Sequence, residues 1–536
     1  MTPAHHPGPL AGIRVLELGN FIAGPFAGQL LGDYGAEVIK VETPGQGDPM
    51  RNWGLTHKGQ GLWWPAIARN KRSVAIDLHT EPGRALIHRL SRTADVVLEN
   101  FRPGRLDEWG IGYDTLRTDN PGIIVVHVSG FGQTGPRSGD AGFGSIGEAM
   151  GGIRGTTGDP DRPPARCGIS LGDALAGLFA VVGTLAAVNE RHRSGIGQEV
   201  DVAIYEAVAA LMESTLADYD VAGVVRTRTG SVLPGVAPAN AYPTADGSDV
   251  LIAANADSVF GRLCRAMGQP ELARDRRFDS HASRGRHMEE LDRRIARWSS
   301  TQPTEALLEV LGTHGVPAGR VYDAADVMVD PHYRSRDMVI RAMSRAGYEV
   351  PMTGVVPKFS RTPGAVTDVG PRLGEHTEQV LRDLAGVNAD EWSVLVEAGT
   401  VGRPRGSGRP TTTTTTTTRA AQHWPMGGSE GPSSRAATPP GPGWWNRRSA
   451  RSCPSPAHRS GRPSAAWRSK AWCSSGATGE RSCAVPVRMK SAISTSCGPA
   501  SSPTPPSWRR SGGRPVMWTQ SERRHGSSTA PWRTSL

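Results

Sequence analysis

Short apolar runs alternate with helix-period segments along the first 130 residues, and this alternation constrains the fold more than any other feature. "IRVLEL" (13–18), "AEVIKVE" (36–42), "KRSVAIDL" (71–78), "DVVLEN" (95–100) and "GIIVVHVSGFG" (122–132) each suit a buried strand. Between them lie helix patterns over "PFAGQLLGDYG" and "EPGRALIHRLSRTA", and a shorter one near 112–119. Strands that are apolar throughout and separated by helices indicate an α/β chain, with a parallel sheet covered on both faces. In such sheets ligands bind beyond the carboxyl ends of the strands. Here those ends carry the loops "GNFIAGP", "ENFRPG" and "SGFGQTGP". Pro25 suits the first position of the first helix.

The longest apolar run, "ALAGLFAVVGTLAAV" (174–188), is shorter than the roughly 18–20 residues of a membrane span and is expected to be a buried core helix. "RSGIGQEVDVAIYEAVAALMES" then supplies a turn, a strand and a helix. Near residue 230 the chain becomes Gly/Pro-rich, and "AYPTADGSDVLIAAN" resembles a hairpin with its turn at Asp246–Asp249. Helical patterns fill 258–268 and 286–312. The expected domains are a large α/β domain over 1–230, a smaller α+β domain over 235–335, and a return to the large domain over 336–401.

Residues 402–536 have another character. They hold no Phe, Tyr or Asp, and they carry 21 Lys+Arg against three acids, a net +18. The body up to 401 has 40 Lys+Arg and 48 Asp+Glu, so its net charge is −8, although the whole chain is +10. The basic balance is therefore no evidence that the body binds nucleic acid. A Ser/Pro/Gly/Arg-rich segment with the run Thr411–Thr418 is expected to be disordered. Its composition is that of a GC-rich gene read in the wrong frame, so a frameshift product or fusion scar is expected. Cys167 and Cys264 in the body show no metal or disulfide spacing, which suits a reducing cytoplasm. "MTPAHHPGPLAG" lacks the n- and h-regions of a secretory signal.

Pattern alone says little about chemistry. Gly19, Gly24 and Gly28 do not form G-x-G-x-x-G, and the loop reads as a tight turn, although a helix start there could receive a phosphate. Lys71, Arg72 and Arg102 lie beside strand ends and read as surface charge, or as partners for a polyphosphate. No histidine pattern matches zinc, and no Ser-His-Asp order appears; no metal site is expected, and His376 reads as structural. Asp173, after Gly172 at the front of the long apolar run, is either a helix cap or a carboxylate nucleophile for acyl transfer.

Nine stretches in order bring a resemblance. They include "PLAGIRVLELGNFIAGPFAGQLLGDYGAEVIKVE", "NKRSVAIDL", "ADVVLENFRPG", "GISLGDALAG", "SGIGQEVDVAIYEAV" and "LGEHTEQVL", and over residues 8–401 they resemble the family III CoA-transferases. The resemblance implies an acyl-CoA:carboxylate CoA-transferase and an interlocked homodimer, each chain with a Rossmann-like large domain and a small domain. It implies acyl-CoA as substrate, a small carboxylic acid as acceptor and no tightly bound cofactor. Neither nucleic acid nor a membrane is an expected partner. The family nucleophile falls on Asp173. CoA contacts fall on Ile22 and Ala23, on Ile76, Asp77, Leu78 and His79, and on Asn100, Phe101 and Arg102. Phe143 matches an aromatic near the nucleophile, and Lys71 or Arg102 is expected to supply phosphate charge.

The match is incomplete. Thr43, Glu108 and Ala141 stand where formyl-CoA transferase has two arginines and a lysine, which argues against formyl-CoA as the substrate. The glycine-rich lid has its candidate in "TGSVLPG", with Gly230 and Gly235. The general texture is nearer to members that handle dicarboxylates such as succinate. Two alternatives stand beside transfer. An α-methylacyl-CoA racemase would need a His within 139–152, which has none. A non-enzymatic nucleic-acid role would rest on the tail.

Overall fold

The computed structural model describes residues 8–404. The expectations of a disordered or frameshifted tail concern residues that lie, from 405 on, outside this range.

Six strands form one parallel sheet: β1 (Arg14–Glu17), β2 (Glu37–Glu42), β3 (Lys71–Ala75), β4 (Val96–Glu99), β5 (Ile124–Ser129) and β6 (Glu199–Ala203). Their spatial order is β3-β2-β1-β4-β5-β6, and every pair is parallel. Helices α1 (Ala23–Asp33) and α2 (Glu81–Ser91) make the first crossovers. The chain runs outward through β1, β2 and β3, then returns to place β4 on the free side of β1. The switch point therefore lies between β1 and β4, where such sheets open a crevice.

Period-two side-chain alternation divides the sheet between two cores. Leu16, Ile39, Val74, Val97 and Val125 face one, with Leu86 and Ile87 of α2. Val15, Val38, Val96 and Val126 face the other. α3 (Gly144–Met150) and α4 (Leu171–Ser194) follow β5, and α5 (Ile204–Ala209) follows β6. Ala176, Ala180 and Ala187 of α4 are buried in the second core. Gly177 sits where α4 crosses the start of α1: a Cβ there would meet the Ala23 carbonyl oxygen at 2.9 Å.

α4 departs from the expectation of a buried core helix. It has 24 residues, and by length and composition it could cross a membrane. One face is buried; Leu178, Phe179, Val182 and Leu185 on the other are exposed. The apolar residues surround the helix, while the sheet and α1 cover only one side of it.

A third core lies entirely within Ala237–Val316. It includes residues of β7 (Ala239–Pro243) and β8 (Asp249–Ala253), which form a three-stranded antiparallel sheet with β9 (Ala318–Arg320). The pattern over 286–312 resolves into two helices, Met288–Ser299 and Thr304–Thr313. They part before Pro303, because the residue ahead of a proline is driven out of helical geometry. The chain then returns through an antiparallel hairpin, β10 (Val339–Met343) and β11 (Glu349–Thr353). α6 (Thr377–Ala385) docks on β3, where the Ala75 amide donates to Thr377 Oγ1 at 3.0 Å. His376 Nδ1 accepts the Ser73 amide at 3.2 Å, a structural role as expected.

Candidate active site

α1 begins at Ala23 with Ile22 at its N-cap, so Pro25 is its third residue rather than its first. The preceding loop is held from beneath. Asn20 and Asn100 exchange two 2.8 Å hydrogen bonds, from the Asn20 amide to Asn100 Oδ1 and from Asn100 Nδ2 to the Asn20 carbonyl. The Lys40 ammonium donates to the Gly19 carbonyl at 2.8 Å. These contacts tie the loops after β1 and β4 together at the switch point.

A cavity of about 380 Å³ opens there. Ile76, Leu78 and His79 line it from the end of β3, and Phe101 and Arg102 from the end of β4. Arg105 and Trp109 complete that wall. Phe101 and Trp109 meet edge to face, as do His79 and Trp109. The Arg105 guanidinium lies 5.6 Å from the Trp109 ring centre. Glu99 fixes the arginine loop: its Oε2 accepts the Phe101 amide at 2.6 Å, and its Oε1 bonds His127 Nδ1 at 2.6 Å. Burial pulls the His127 imidazolium down, but hydrogen bonds to Glu99 and Glu199 hold its pKa above the usual range. Cations, an aromatic wall and an apolar floor thus meet in one crevice.

Other expected contacts lie elsewhere. Ile22 and Ala23 are buried at the foot of α1. Asp77 does not line the cavity; its Oδ1 accepts the His79 amide at 2.9 Å. The Asn100 side chain is committed to Asn20. Lys71 requires a correction. It is 2% exposed, its ammonium lies 2.8 Å from Glu17 and donates to the Pro25 carbonyl at 2.6 Å. Burial draws its pKa down to about 8 against the pull of Glu17. A side chain held inside the β1–β3 layer cannot reach into the crevice, whereas Arg102 and Arg105 line it. Arg72 is paired with Glu37 at 2.6 Å.

The second half of the site is the start of α4. Asp173 is the third residue of that helix, and the N-cap is Ser170. Capping is supplied by Glu148 of α3, whose Oε1 accepts the Gly172 amide at 3.3 Å. Glu148 is 1% exposed, and its Oε2 accepts from Arg154 Nε at 2.9 Å. Asp173 itself has no hydrogen-bond donor among the described residues. Burial and then the Glu148 charge push its carboxyl up to about 6, while Arg166 pulls it down. Burial, with the like charge of Glu148 second, thus disfavours the ionised form of this carboxyl. At neutral pH the group is still mostly ionised.

Glycines make the approach to this carboxylate. Gly144 packs on Asp173, and a Cβ at 144 would overlap Oδ2. Gly172 is closed instead: a Cβ there would meet the Gly144 carbonyl oxygen at 2.9 Å and Glu148 Cγ at 3.1 Å. Phe143, the residue before Gly144, is 72% exposed. Asp173 and Gly177 are one helical turn apart on one face, and at Gly177 there is no room for a Cβ beside the Ala23 carbonyl oxygen. The first turns of α4 therefore pack against the start of α1. In "TGSVLPG", the Gly230 amide donates to the Gly158 carbonyl at 3.0 Å, so this segment docks on the loop that leads towards Asp173.

Sequence reasoning missed Glu148, Arg105, Trp109 and Arg166. Arg105 and Trp109 are four apart and share a face, a spacing visible in "RPGRLDEWG". Nothing in sequence couples Glu148 to a helix 24 residues later.

The model of CoA-transferase family III matches residues 10–377. The chain belongs to CoA-transferase family III. Succinyl-CoA–D-citramalate CoA-transferase of Chloroflexus aurantiacus is 55% identical over 396 residues, which are 74% of this chain and 98% of that protein. Succinate–glutarate CoA-transferase of Agrobacterium fabrum is 37% identical, over 70% of this chain and 96% of its own. A CAIB/BAIF family protein from Brucella suis, solved by crystallography, has a TM-score of 0.63 at 36% identity, covering 70% of this chain and all of that one. This family III enzyme is an acyl-CoA:carboxylate CoA-transferase, with CoA thioesters as substrates.

Proposed function

We propose that this enzyme takes CoA from succinyl-CoA and gives it to a second dicarboxylic acid, with Asp173 as the covalent relay. The observation that carries the relay is a half-buried carboxylate with no hydrogen-bond donor among the described residues, set against Gly144. A carboxylate stripped of donors is a stronger nucleophile than one capping a helix. The relatives named above support the succinyl donor and the dicarboxylate acceptor.

The Asp173 carboxylate adds to the thioester carbonyl and expels CoA thiolate, leaving a mixed anhydride. The thiolate attacks the aspartyl carbonyl of that anhydride, releases succinate and forms an aspartyl-CoA thioester. An acceptor carboxylate attacks this thioester, expelling the thiolate again and forming a second anhydride. The thiolate then attacks the acceptor's acyl carbon, yielding the new acyl-CoA and free Asp173. Every step exchanges one acyl bond for another, and no oxidant or reductant is consumed. The crevice lined by Arg102, Arg105 and Trp109 suits the nucleotide end of CoA.

We also assign the exposed face of α4 to a second copy of the chain. Leu178, Phe179, Val182 and Leu185 make a continuous apolar stripe on an otherwise charged chain, and an interlocked homodimer would bury it. A racemase reading is disfavoured: no His lies within 139–152, and His127 is engaged by Glu99 and Glu199.

The test is to mix enzyme with succinyl-CoA and no acceptor, then reduce with borohydride. An aspartyl thioester becomes an alcohol, which marks the peptide containing Asp173 by mass. An active enzyme whose Asp173 peptide stays unmodified would sink the relay.

A further inference from the structure

The chemistry at Asp173 handles one carboxylate of each substrate, and a dicarboxylate brings a second. Burying or half-burying that second charge needs a cation with donors to spare. The arginines around the start of α4 differ in this respect. Arg154 is held by Glu148 at 2.9 Å. Arg162 lies 3.6 Å from Asp159, and Arg228 donates to the carbonyls of Asp159 and Pro160 at 3.1 and 3.4 Å. Arg137 is paired with Asp140 at 2.9 Å.

Arg166 has no carboxylate partner among the described residues. Its Nε and Nη2 make two long contacts of 3.3 Å, to the Ile169 carbonyl and the Ser170 hydroxyl. A guanidinium has five N–H donors, so at least half of its donor capacity is free. Ser170 is the N-cap of α4, which places this cation at the mouth of the helix whose third residue is Asp173. The planar fork matches a carboxylate bidentately, which an ammonium cannot do. The weak anchors let the head turn towards solvent and receive a ligand.

We infer that Arg166 binds the far carboxylate of the dicarboxylyl group while its near carboxyl reacts at Asp173, and so selects dicarboxylic over monocarboxylic acyl groups. This rests on the transferase reading with a dicarboxylyl donor. Succinyl and butyryl groups share a four-carbon length and differ at that far end, so the pair isolates the contact.

The experiment compares kcat/KM for succinyl-CoA and butyryl-CoA in wild type, Arg166→Gln and Arg166→Lys, each checked for an unchanged melting temperature. A charge-assisted bidentate contact is worth roughly tenfold to a hundredfold in such a ratio. The expected result is a wild-type preference for succinyl-CoA that falls at least tenfold in Arg166→Gln, with part of it restored in Arg166→Lys. Loss of Arg166 also removes a charge acting on Asp173, but that would slow both thioesters alike and leave their ratio unchanged. Equal losses for the two substrates, or no loss for either, would overturn the assignment. Absence of any succinyl preference in the wild type would instead strike at the dicarboxylate reading itself, and both would go together.

Discussion

Gly144 lies flat against the carboxylate of Asp173, so close that the first carbon of any side chain at 144 would overlap Oδ2. The contact joins α3 to α4. Gly144→Ala should force the carboxylate aside by about an ångström. A misplacement of that size costs roughly a hundredfold in rate, and overpacking costs about 1–3 kcal/mol of stability. Gly139→Ala is the control, since a Cβ at 139 meets nothing within 4 Å. Single-turnover release of CoA thiolate from succinyl-CoA measures the first chemical step. A Gly144→Ala enzyme that releases thiolate at the wild-type rate would place the reaction elsewhere.

The Asp173 carboxyl, pushed up to about 6, should set the acid limit of activity. Only the carboxylate attacks a thioester, so kcat/KM should fall below pH 6 and level off above it. Glu148→Gln removes the like charge but keeps an oxygen for the Gly172 amide, so the limb should move to lower pH. A limb that stays in place would leave burial alone as the cause.

Stability follows with a definite sign. A folded-state pKa raised above the ordinary 3.8 means that the native state holds the proton longer than the unfolded chain. The stabilisation is complete below about pH 4 and lost as pH rises through 6. At pH 7 the ionised Asp173 is therefore a net burden. Asp173→Asn should abolish turnover and raise stability there by roughly 1–2 kcal/mol, after allowance for partial exposure. Thermal unfolding at pH 4 and pH 7 reads both ends; equal effects at the two pH values would contradict the shift.

Much of the large domain is visible in the sequence, because a buried parallel strand needs an unbroken apolar run and the connecting helices need a 3.6-residue period. "IRVLEL" and "DVVLEN" both contain strands of the sheet, and their following loops meet at the switch point. What pattern cannot supply is which charge faces inward. Lys71 and Arg102 look alike beside strand ends, yet one is sealed against Glu17 and the other lines the crevice. The capping question at Asp173 was undecidable for a similar reason. Its answer is Glu148, which lies on another helix and reaches Gly172 through tertiary packing alone. The exposed side of α4 was invisible because an apolar run reports burial by any partner, including one outside the chain.

That contrast between Lys71 and Arg102 is itself testable. Arg102→Ala should raise the KM for succinyl-CoA roughly tenfold to a hundredfold, a loss of about 1.5–3 kcal/mol of phosphate contact, with the fold intact. Lys71→Ala leaves Glu17, which is 0% exposed, with one cation fewer, and breaking a buried pair costs about 3–5 kcal/mol. Its mark should be a lower melting temperature. If Lys71→Ala instead melts normally and loses only CoA affinity, the interior placement of its ammonium is wrong.

The apolar stripe on α4 gives the last prediction. Leu178 and Val182 are four residues apart, 46% and 62% exposed, and Leu185 continues the same face. Water against such a stripe costs about 25 cal/mol per Å² of apolar surface, and a second copy of the chain would remove that cost. Val182→Asp inserts a charge into the middle of this surface, four residues from Leu178 and away from the buried side at Ala176 and Ala180. In a dimer that buries α4, the added carboxylate must be desolvated without a partner, so association should weaken by several kcal/mol. Sedimentation over a range of concentrations should then show a dimer for the wild type and monomer for the variant at micromolar protein. Leu251→Asp is the comparison: Leu251 is 46% exposed on β8, within the third core's sheet and not on α4. A Val182→Asp chain that sediments as wild type, while folded by circular dichroism, would show that the partner does not cover this face.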